Sequence, residues 1–298
     1  MKKLFVVLLS VIMMVIVGGC GSQTTKAPAT KDNSIKIGGS STMAPVIAKC
    51  ADDFTEKFHT WKKVNDRLPD EPIVIFVATG GSGFGVKSAM NNTVDMGLVS
   101  RDVKEAEKAK LTNHTLYTLG YDALTIAVNP QNPVLTVKPD ITNDEIKKIF
   151  SGEIKTWNQL DPNLPNRPIV LAIRDLGGGA SQVFDELIMK GTPIAKEAVQ
   201  LPSMGALAGK VMDNADAIGY VSVGLVEQNK GKIGVLSVEG IQPTTENIAS
   251  GKYKIARPLI VIAKATPDDR EQQFLNYLQS EKGVKALSSM GFVPVQAK

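Results

Sequence analysis

The sequence predicts an α/β fold, and two observations support this fold class. Apolar strand-like runs alternate with segments of helical periodicity, as in chains whose helices pack on a sheet. In addition, four short turns rich in Gly, Ser and Thr follow apolar runs, and most of them precede a helical segment. These turns lie at residues 38–42, 80–85, 97–101 and 177–181. The chain is long enough for one or two packed domains.

The individual elements follow from the periodicity of the apolar residues. Strand-like runs lie at residues 34–38, 73–78, 124–128, 169–173, 217–223 and 257–263. Helical patterns lie at residues 44–58, 85–90, 142–150 and 268–287, the last as one amphipathic helix. The third helix has the clearest start, because Thr142 can cap it while Glu145, three residues later, completes a capping box.

The first 20 residues carry the pattern of a bacterial lipoprotein signal. Two lysines precede an apolar run at 4–17 that is too short for a membrane span, and small residues lead to Cys20. We therefore predict a signal peptide at residues 1–19 and lipidation of Cys20, with palmitate, which would anchor the protein to a membrane outside the cytoplasm. Residues 20–31 contain almost nothing that could be buried, so we expect a flexible tether.

The charge balance argues against nucleic acid as a partner. The formal net charge of +4 becomes +2 when the two lysines of residues 1–19 are removed, and basic residues are interleaved with acidic ones. A nucleic-acid-binding protein is expected to concentrate its basic residues on one face. We therefore expect no nucleic-acid partner.

The four turns predict an anion-binding site. Where a strand ends and a helix begins, unpaired backbone N–H groups and the positive end of the helix dipole face outward. Several such ends that converge would hold a tetrahedral anion. Arg174 precedes the fourth turn, and its guanidinium offers paired donors that match two oxygens of such an anion. Ser41, Thr42 and Ser82 can cap their own helices and can also bind the anion, since a cap and a ligand contact can coexist.

The second turn nearly matches the sequence motifs of two enzyme classes, but both matches are incomplete. Residues 80–88 nearly match a phosphate-binding loop, but Val86 separates the last glycine from the lysine. A serine hydrolase would need a further glycine and a supported histidine, whereas His59 and His114 stand alone in segments expected to be solvated. Two isolated histidines also make a metal site unfavourable. We therefore expect no catalytic residue, no metal and no cofactor.

A series of short segments carries a resemblance to a known family. The segments are GSSTMAP at 39–45, GGSG at 80–83, VDMGLVSR at 94–101, IAVNP at 126–130, IFSGEI at 149–154, WN at 157–158, AIGYVS at 217–222, PTTENI at 243–248 and RPL at 257–259. In composition and order they resemble the phosphate-binding lipoprotein of bacterial phosphate ABC transporters. The match spans about residues 35–296.

The resemblance implies a two-lobed periplasmic-binding-protein fold of type II, in which the chain crosses twice between the lobes. Lobe one would comprise residues 32–126 and 254–298, and lobe two would comprise residues 127–253. The ligand would lie in the cleft between the lobes, where strand ends and helix starts meet.

The resemblance also implies a function. The chain would be an extracytoplasmic, membrane-anchored receptor, expected to be a monomer, that binds inorganic phosphate and delivers it to the permease subunits of an ABC transporter. Asp175 would orient Arg174, and Asp95 would bind turn amides. The resemblance places phosphate-binding residues at Ser41, Thr42, Ser82, Ser100, Arg174, Gly178, Gly179, Ala180 and Ser181.

Two departures from the family leave other ligands open. In one branch of the family an aspartate that can accept the proton of phosphate stands where this chain has Ser100, and a hydroxyl can equally donate. The usual Gly-Ser-Gly-Thr turn is Gly-Gly-Gly-Ala at residues 177–180, so two hydroxyls are missing, each worth about 1.5–3 kcal/mol to a charged ligand. Ser181 could compensate. The alternatives are a binder of another tetrahedral oxyanion and a phosphate-sensing relative without a transport role.

Overall fold

The computed structural model describes residues 33–297, so the predicted signal peptide, the tether and Cys20 lie outside the described residues. Strands and helices alternate along the described chain, which confirms the predicted α/β class. Within these residues, no helix has both the length and the apolar character needed to span a bilayer.

The bounds of the elements agree with most of the predicted runs. The strands are β1 (Ile35–Gly39), β2 (Ile75–Thr79), β3 (Met96–Val99), β4 (His114–Val128), β5 (Asp140–Ile141), β6 (Val170–Arg174), β7 (Val199–Leu201), β8 (Ala217–Ser222), β9 (Gly234–Val238), β10 (Ala256–Lys264) and β11 (Val293–Pro294). The helices are α1 (Ala44–Phe58), α2 (Trp61–Val64), α3 (Gly81–Met90), α4 (Glu105–Lys108), α5 (Val134–Val137), α6 (Asn143–Ser151), α7 (Trp157–Leu160), α8 (Gly179–Phe184), α9 (Met204–Asp213), α10 (Val223–Gln228), α11 (Thr245–Ala249), α12 (Asp269–Gln279) and α13 (Glu281–Ser289). A π-helical turn, Asp185–Met189, continues α8.

The strands follow one another in the order β2-β1-β3-β10-β4-β8-β6-β7. β1 is parallel to β2 and β3, and β6 is parallel to β7 and β8. Between these parallel groups, β4 is antiparallel to both of its neighbours. Its first part, from His114 to Ala123, pairs with β10, and its last part, from Leu124 to Val128, pairs with β8. β4 therefore connects the two parallel groups of strands.

Two large clusters of buried apolar side chains lie on this framework. One includes Phe54, whose ring makes an edge contact with Phe274 at 5.4 Å between centroids. The other includes Phe150 and Phe184, whose rings are 4.7 Å apart. Buried members of the first cluster come from residues 35–119 and 259–292, and those of the second from residues 123–255 together with Val293. The lobe boundaries given above stay a prediction.

The clearest predicted helix start is confirmed. Thr142 caps α6, because its hydroxyl accepts from the backbone N–H of Glu145 at 3.2 Å while the Glu145 carboxylate accepts from the backbone N–H of Thr142 at 2.9 Å. α6 ends at Gly152, which has φ +81°, a backbone conformation that glycine adopts without strain. Trp157 is fully buried shortly after this helix.

The predicted single helix at 268–287 is wrong. The chain forms two helices there, because Ser280 has an extended backbone with ψ 170° between α12 and α13. The Ser280 hydroxyl donates to the carbonyl of Tyr277 at 2.7 Å, and such local side-chain bonds compete with the helical ladder. Apolar periodicity continued through this break because both helices bury a face against α1.

Two expectations about the Gly-rich turns also need correction. α3 begins at Gly81 rather than at Gly85, so most of the second turn is the first turn of the helix. Gly97, expected to open the third turn, lies within β3. A Cβ at Gly97 would lie 2.4 Å from the carbonyl oxygen of Gly85, so this glycine allows β3 to approach α3 closely.

Candidate anion-binding site

The first turn leaves β1 and presents two hydroxyl residues at the start of α1. Gly39 has φ +144°, and a Cβ there would lie 2.2 Å from a carbonyl oxygen of β3, so only glycine fits. The Ser40 hydroxyl accepts from the backbone N–H groups of Thr42 at 3.2 Å and Met43 at 3.3 Å, which fixes the turn. Ser41 and Thr42 are buried in this turn.

Serines from the first three turns meet in the interior. The Ser40 hydroxyl donates to the Ser100 hydroxyl at 2.8 Å, and the backbone N–H of Ser100 donates to Ser82 Oγ at 3.0 Å. The Oγ atoms of Ser82 and Ser100 are 3.4 Å apart. Ser82 is fully buried in the first turn of α3, and Ser100 directly follows β3. The structure therefore brings the first three predicted turns together.

The fourth turn packs against the second. A Cβ at Gly179 would lie 2.3 Å from Ser82 Oγ, so the start of α8 approaches the start of α3 more closely than a larger residue allows. Gly179 and Ala180 are buried. A Cβ at Gly178 would lie 2.8 Å from Nη2 of Arg174, which places this glycine against the guanidinium. The absent side chains of this turn thus leave room for both neighbours.

Ser181 lies in the same turn, but its hydroxyl is directed elsewhere. Ser181 Oγ lies within donating distance of two carbonyls of its own turn, Asp175 at 2.7 Å and Gly178 at 2.9 Å. Because a hydroxyl has one hydrogen, these carbonyls take the only proton that Ser181 can donate. The structure does not bring the Ser181 hydroxyl together with the hydroxyls of the other turns.

Arg174 lies at the end of β6 with its side chain 3% exposed. Its Nε donates to the carbonyl of Leu201 at 3.1 Å, and its Nη2 donates to Asp175 Oδ1 at 2.7 Å and to the carbonyl of Pro202 at 3.1 Å. Nη1 donates to Ser41 Oγ at 3.0 Å. Asp175 therefore contacts Arg174 as predicted. The expected pair of free donors is not found, because these bonds leave one N–H, on Nη1, without an acceptor in the described chain.

A buried tyrosine supports the backbone of Arg174. The Tyr220 hydroxyl accepts from the backbone N–H of Arg174 at 2.9 Å, and its ring stacks on Phe184 with centroids 4.2 Å apart. Burial raises the pKa of Tyr220, so the hydroxyl stays neutral at physiological pH. The rigid ring therefore fixes the end of β6, from which the guanidinium projects.

The Ser41 hydroxyl is restricted to donating. Ser41 Oγ accepts from Nη1 of Arg174 at 3.0 Å and from the backbone N–H of Met204 at 3.2 Å. A hydroxyl oxygen has two lone pairs, and both are taken by these bonds. Its remaining hydrogen is available to an acceptor, which is the polarity that an oxyanion requires.

Sequence reasoning missed a second buried arginine beside this site. Arg257 lies on β10, and its Nε and Nη2 donate to Asp122 Oδ2 at 3.0 and 2.7 Å. Asp122 Oδ1 accepts from the Ser222 hydroxyl at 2.8 Å, and Arg257 Nη2 also donates to Thr42 Oγ1 at 3.0 Å. Burial lowers the pKa of Arg257, the carboxylate of Asp122 opposes this, and the charge of Arg174 lowers it further. The signal in the sequence was a charged residue at the border of each of two apolar strand runs, Asp122 just before 124–128 and Arg257 at the start of 257–263.

Other charged groups near the turns are paired within the protein. The Asp95 carboxylate accepts from the backbone N–H of Lys36 at 2.8 Å, so it binds an amide of β1 rather than of its own turn. Arg101 is buried and donates to both oxygens of Glu107 at 2.7 and 2.8 Å. Burial raises the pKa of Glu107, but hydrogen bonds from Arg101 and the Lys104 backbone outweigh this, and the pKa is lowered.

Within the part of the chain that the structure describes, the features required by the enzymatic alternatives are not assembled. Lys87, the lysine of the near-match to a phosphate-binding loop, is exposed late in α3, whereas Ser82 is buried at its start. His59 is exposed as expected. His114 is not in a solvated loop, because it begins β4, is half-buried and has Nε2 3.0 Å from the carbonyl oxygen of Ala89. Residues 33–297 contain no group of three or more His, Cys, Asp or Glu side chains that could hold a metal ion.

Comparison with known protein families and sequences gives a consistent result. The family model described as PBP superfamily domain matches residues 24–282. The phosphate-binding protein PstS of Bacillus subtilis (strain 168) is 30% identical over 307 residues, which cover 99% of this chain and 94% of that protein. The PstS protein of Staphylococcus saprophyticus is 26% identical over 295 residues, which cover 95% of this chain and 87% of that protein.

Solved structures of the same architecture are also similar. A substrate-binding protein from Clostridium perfringens, crystallised with bound phosphate, aligns with a TM-score of 0.76 and 26% identity, covering 89% of this chain and 100% of that chain. An ABC-type phosphate transport receptor from Vibrio cholerae aligns with a TM-score of 0.68 and 24% identity, covering 88% of this chain and 100% of that chain. These likenesses confirm the two-lobed, type II periplasmic-binding-protein fold that the resemblance implied.

Proposed function

The chain belongs to the PBP superfamily and, within it, to the family of the phosphate-binding protein PstS, and we propose that it is the receptor that binds inorganic phosphate for a phosphate ABC transporter. The 30% identity to the Bacillus subtilis relative and the phosphate-bound structure of the Clostridium perfringens relative support this function. The observation that carries the proposal is the convergence of four turns around buried donors, with Arg174 bonded to Ser41 across the site.

In the proposed binding mode, each turn contributes donors to one anion. Ser41 donates its hydroxyl hydrogen, since both of its lone pairs are used, and Arg174 donates the remaining N–H of Nη1. The start of α8 adds backbone N–H groups, which point out of the helix at the positive end of its dipole and so favour an anion. The proposed ligands of phosphate are Ser41, Thr42, Ser82, Ser100, Arg174, Gly178, Gly179 and Ala180. We propose that Ser181 fixes the fourth turn through its bonds to Asp175 and Gly178.

Burial makes these donors effective. Ser82, Ser100 and Arg174 are at most 3% exposed, so hydrogen bonds to the anion form in a medium of low dielectric constant. The donors are held by the protein before the anion arrives, which reduces the entropy lost on binding. The missing hydroxyls of the fourth turn remove about 1.5–3 kcal/mol each, which this preorganisation offsets in part.

The proposal also covers where the protein is anchored and how its chain is divided into two lobes. Lipidation of Cys20 anchors the receptor on the outer face of a membrane, residues 20–31 form the tether, and the protein acts as a monomer without catalytic activity. Lobe one comprises residues 32–126 and 254–298, and lobe two comprises residues 127–253. The change of pairing partner within β4, from β10 to β8, supports a first crossover near residue 124. The lobes close on phosphate and present it to the permease subunits.

Equilibrium dialysis against labelled phosphate tests the proposed ligands. Arg174→Ala is expected to weaken phosphate binding at least tenfold, because it removes a charge-assisted hydrogen bond from a buried site. Arg67→Ala is the matched control, since Arg67 is exposed in the loop between α2 and β2, and it should bind phosphate as the unmodified protein does. An unchanged affinity in Arg174→Ala would remove Arg174 from the site.

One observation favours a second candidate function. The hydroxyls expected at Gly178 and Ala180 are missing, and Ser100 replaces a possible carboxylate acceptor. Both changes are the grounds for considering a receptor for another tetrahedral oxyanion, or a phosphate sensor without a transport role. The same dialysis with arsenate, sulfate and molybdate separates a retuned receptor from a phosphate receptor, because these two functions predict different tightest ligands.

A further inference from the structure

We propose that Arg257 is a second anion-binding residue, and that its Nη1 donates to the same anion that Ser41 and Arg174 bind. This inference rests on the proposed function, because it adds a ligand to the proposed phosphate site. It assigns to the strand β10 a direct part in binding, in addition to its place in the sheet.

The free donor on Arg257 is the first step of the argument. Arg257 is 2% exposed, and its Nη1 makes no hydrogen bond to any residue from 33 to 297. Buried polar groups in folded proteins are almost always hydrogen-bonded, since a buried donor without a partner is costly. An oxyanion beside Nη1 supplies the acceptor that the described chain does not.

The direction of Nη1 follows from the planar shape of the guanidinium. One edge of this group, formed by Nε and Nη2, faces Asp122 Oδ2 at 3.0 and 2.7 Å. The other N–H of Nη2 reaches Thr42 Oγ1 at 3.0 Å. That N–H lies on the edge shared by Nη2 and Nη1, so Nη1 is on the side of Thr42 and away from Asp122. Thr42 is a proposed phosphate ligand, and Nη1 therefore faces the proposed site.

The two arginines differ in the number of N–H groups that are left without an acceptor in the described chain. The guanidinium of Arg174 is held by Ser41, Asp175 and two backbone carbonyls, which leave it one N–H. Both N–H groups of Arg257 Nη1 are without an acceptor in the described part of the chain. Arg257 therefore has two N–H groups to offer, both on the single nitrogen Nη1, whereas Arg174 has one.

Asp122 holds Arg257 in place for this role. Its Oδ2 accepts two N–H groups of Arg257 and its Oδ1 accepts from Ser222, so three hydrogen bonds hold the carboxylate against Arg257 and Ser222. Both partners of this ion pair are buried and hydrogen-bonded, as a pair in the interior needs to be. Asp122 is therefore a positioning residue, and the anion meets a guanidinium that is already oriented.

A charge-matched double variant tests the contact. Arg257→Gln alone would leave Asp122 charged and buried near the anion, which would weaken binding for a trivial reason. We therefore compare the unmodified protein with the double variant Asp122→Asn/Arg257→Gln, in which two amides replace the ion pair and the net charge is unchanged. Calorimetric titration with inorganic phosphate should give a Kd about 10- to 100-fold higher in the double variant than in the unmodified protein. A thermal melt of both proteins reports stability separately.

The outcomes separate a contact from a structural role. If Arg257 only stabilises the sheet, the double variant melts at a lower temperature but binds phosphate with the Kd of the unmodified protein, and the inference is overturned. Should the double variant not fold, a crystal structure of the unmodified protein with phosphate decides. Arg257 Nη1 is expected within about 2.7–3.2 Å of a phosphate oxygen, and an Nη1 bonded elsewhere overturns the inference. Failure of the unmodified protein to bind phosphate would instead overturn the proposed function.

Discussion

Replacing Gly179 with alanine perturbs the contact between the second and fourth turns. The added Cβ would lie 2.3 Å from Ser82 Oγ and 2.9 Å from Ser82 Cβ. Unstrained heavy-atom contacts lie near 3.5–4.0 Å, so the start of α8 and the start of α3 must separate by about 1 Å. Ser82 has no room to yield, because it is fully buried and its Oγ accepts from the backbone N–H of Ser100.

The expected effect is on both binding and folding. Separation of the turns weakens the hydrogen bond from the backbone N–H of Gly83 to the carbonyl of Gly177, which spans 3.4 Å and is worth about 0.5–1.5 kcal/mol, and it moves the α8 amides away from the other donors. Phosphate affinity should therefore fall about tenfold, which corresponds to about 1.4 kcal/mol. Overpacking of a buried contact costs about 1–3 kcal/mol, so the melting temperature in the absence of phosphate should fall.

Gly209 offers a matched control for this substitution. It lies within α9, and a Cβ there would meet no atom within 4 Å. Gly209→Ala should raise the melting temperature through helix propensity alone and leave the phosphate Kd unchanged. Calorimetric titration and thermal melts of both variants give the comparison. A Gly179→Ala protein that binds phosphate as tightly as the unmodified protein would refute the reasoning that these turns must touch when the anion is bound.

Three further predictions concern the supports of the site and the fold. Tyr220→Phe leaves the buried N–H of Arg174 without its acceptor, and urea unfolding should show a loss of about 1–3 kcal/mol, with weaker phosphate binding; a stability equal to that of the unmodified protein would show that this bond contributes nothing. The pKa of Glu107 is lowered in the folded state, so its ion pair with Arg101 stabilises fully above the ordinary glutamate pKa and is lost as pH falls through the lowered value. The stability difference between the unmodified protein and Glu107→Gln, measured by urea unfolding, should therefore shrink from about pH 7 to about pH 3; a constant difference would contradict the shift. Thr142→Ala removes the cap of α6 and should cost about 1 kcal/mol in the same assay, whereas no loss would mean that the capping box is not stabilising.

The elements could be predicted where local signals are strong. α1 has the predicted bounds, 44–58, and α6 begins at its predicted cap, because both helices show apolar periodicity and a clear start. The break at Ser280 does not follow from apolar periodicity, because the helices on either side bury similar faces, and its one local signal is Gly283, where a Cβ would meet the carbonyl oxygen of Leu278. Apolar periodicity reports burial, and it does not report whether the backbone continues.

The site could be predicted in its turns but not in its contacts. Glycine and serine patterns locate the turns, because glycine tolerates the backbone conformations of turns and serine hydroxyls bond to nearby backbone groups. The bond from Arg174 to Ser41 joins residues 133 positions apart, and the bond from Arg257 to Thr42 joins residues 215 positions apart. Only the tertiary fold brings such pairs together. The sequence therefore indicated Arg174 as a donor, while the acceptors that hold it and the part played by Arg257 required the structure.

The most direct test of the central claim is a calorimetric titration of the purified, anion-free protein with inorganic phosphate, with Arg174→Ala measured in parallel. The account predicts saturable binding of one phosphate per chain and a Kd at least tenfold higher in the variant. A protein that gives no binding signal with phosphate, or that binds phosphate equally well without Arg174, would contradict it.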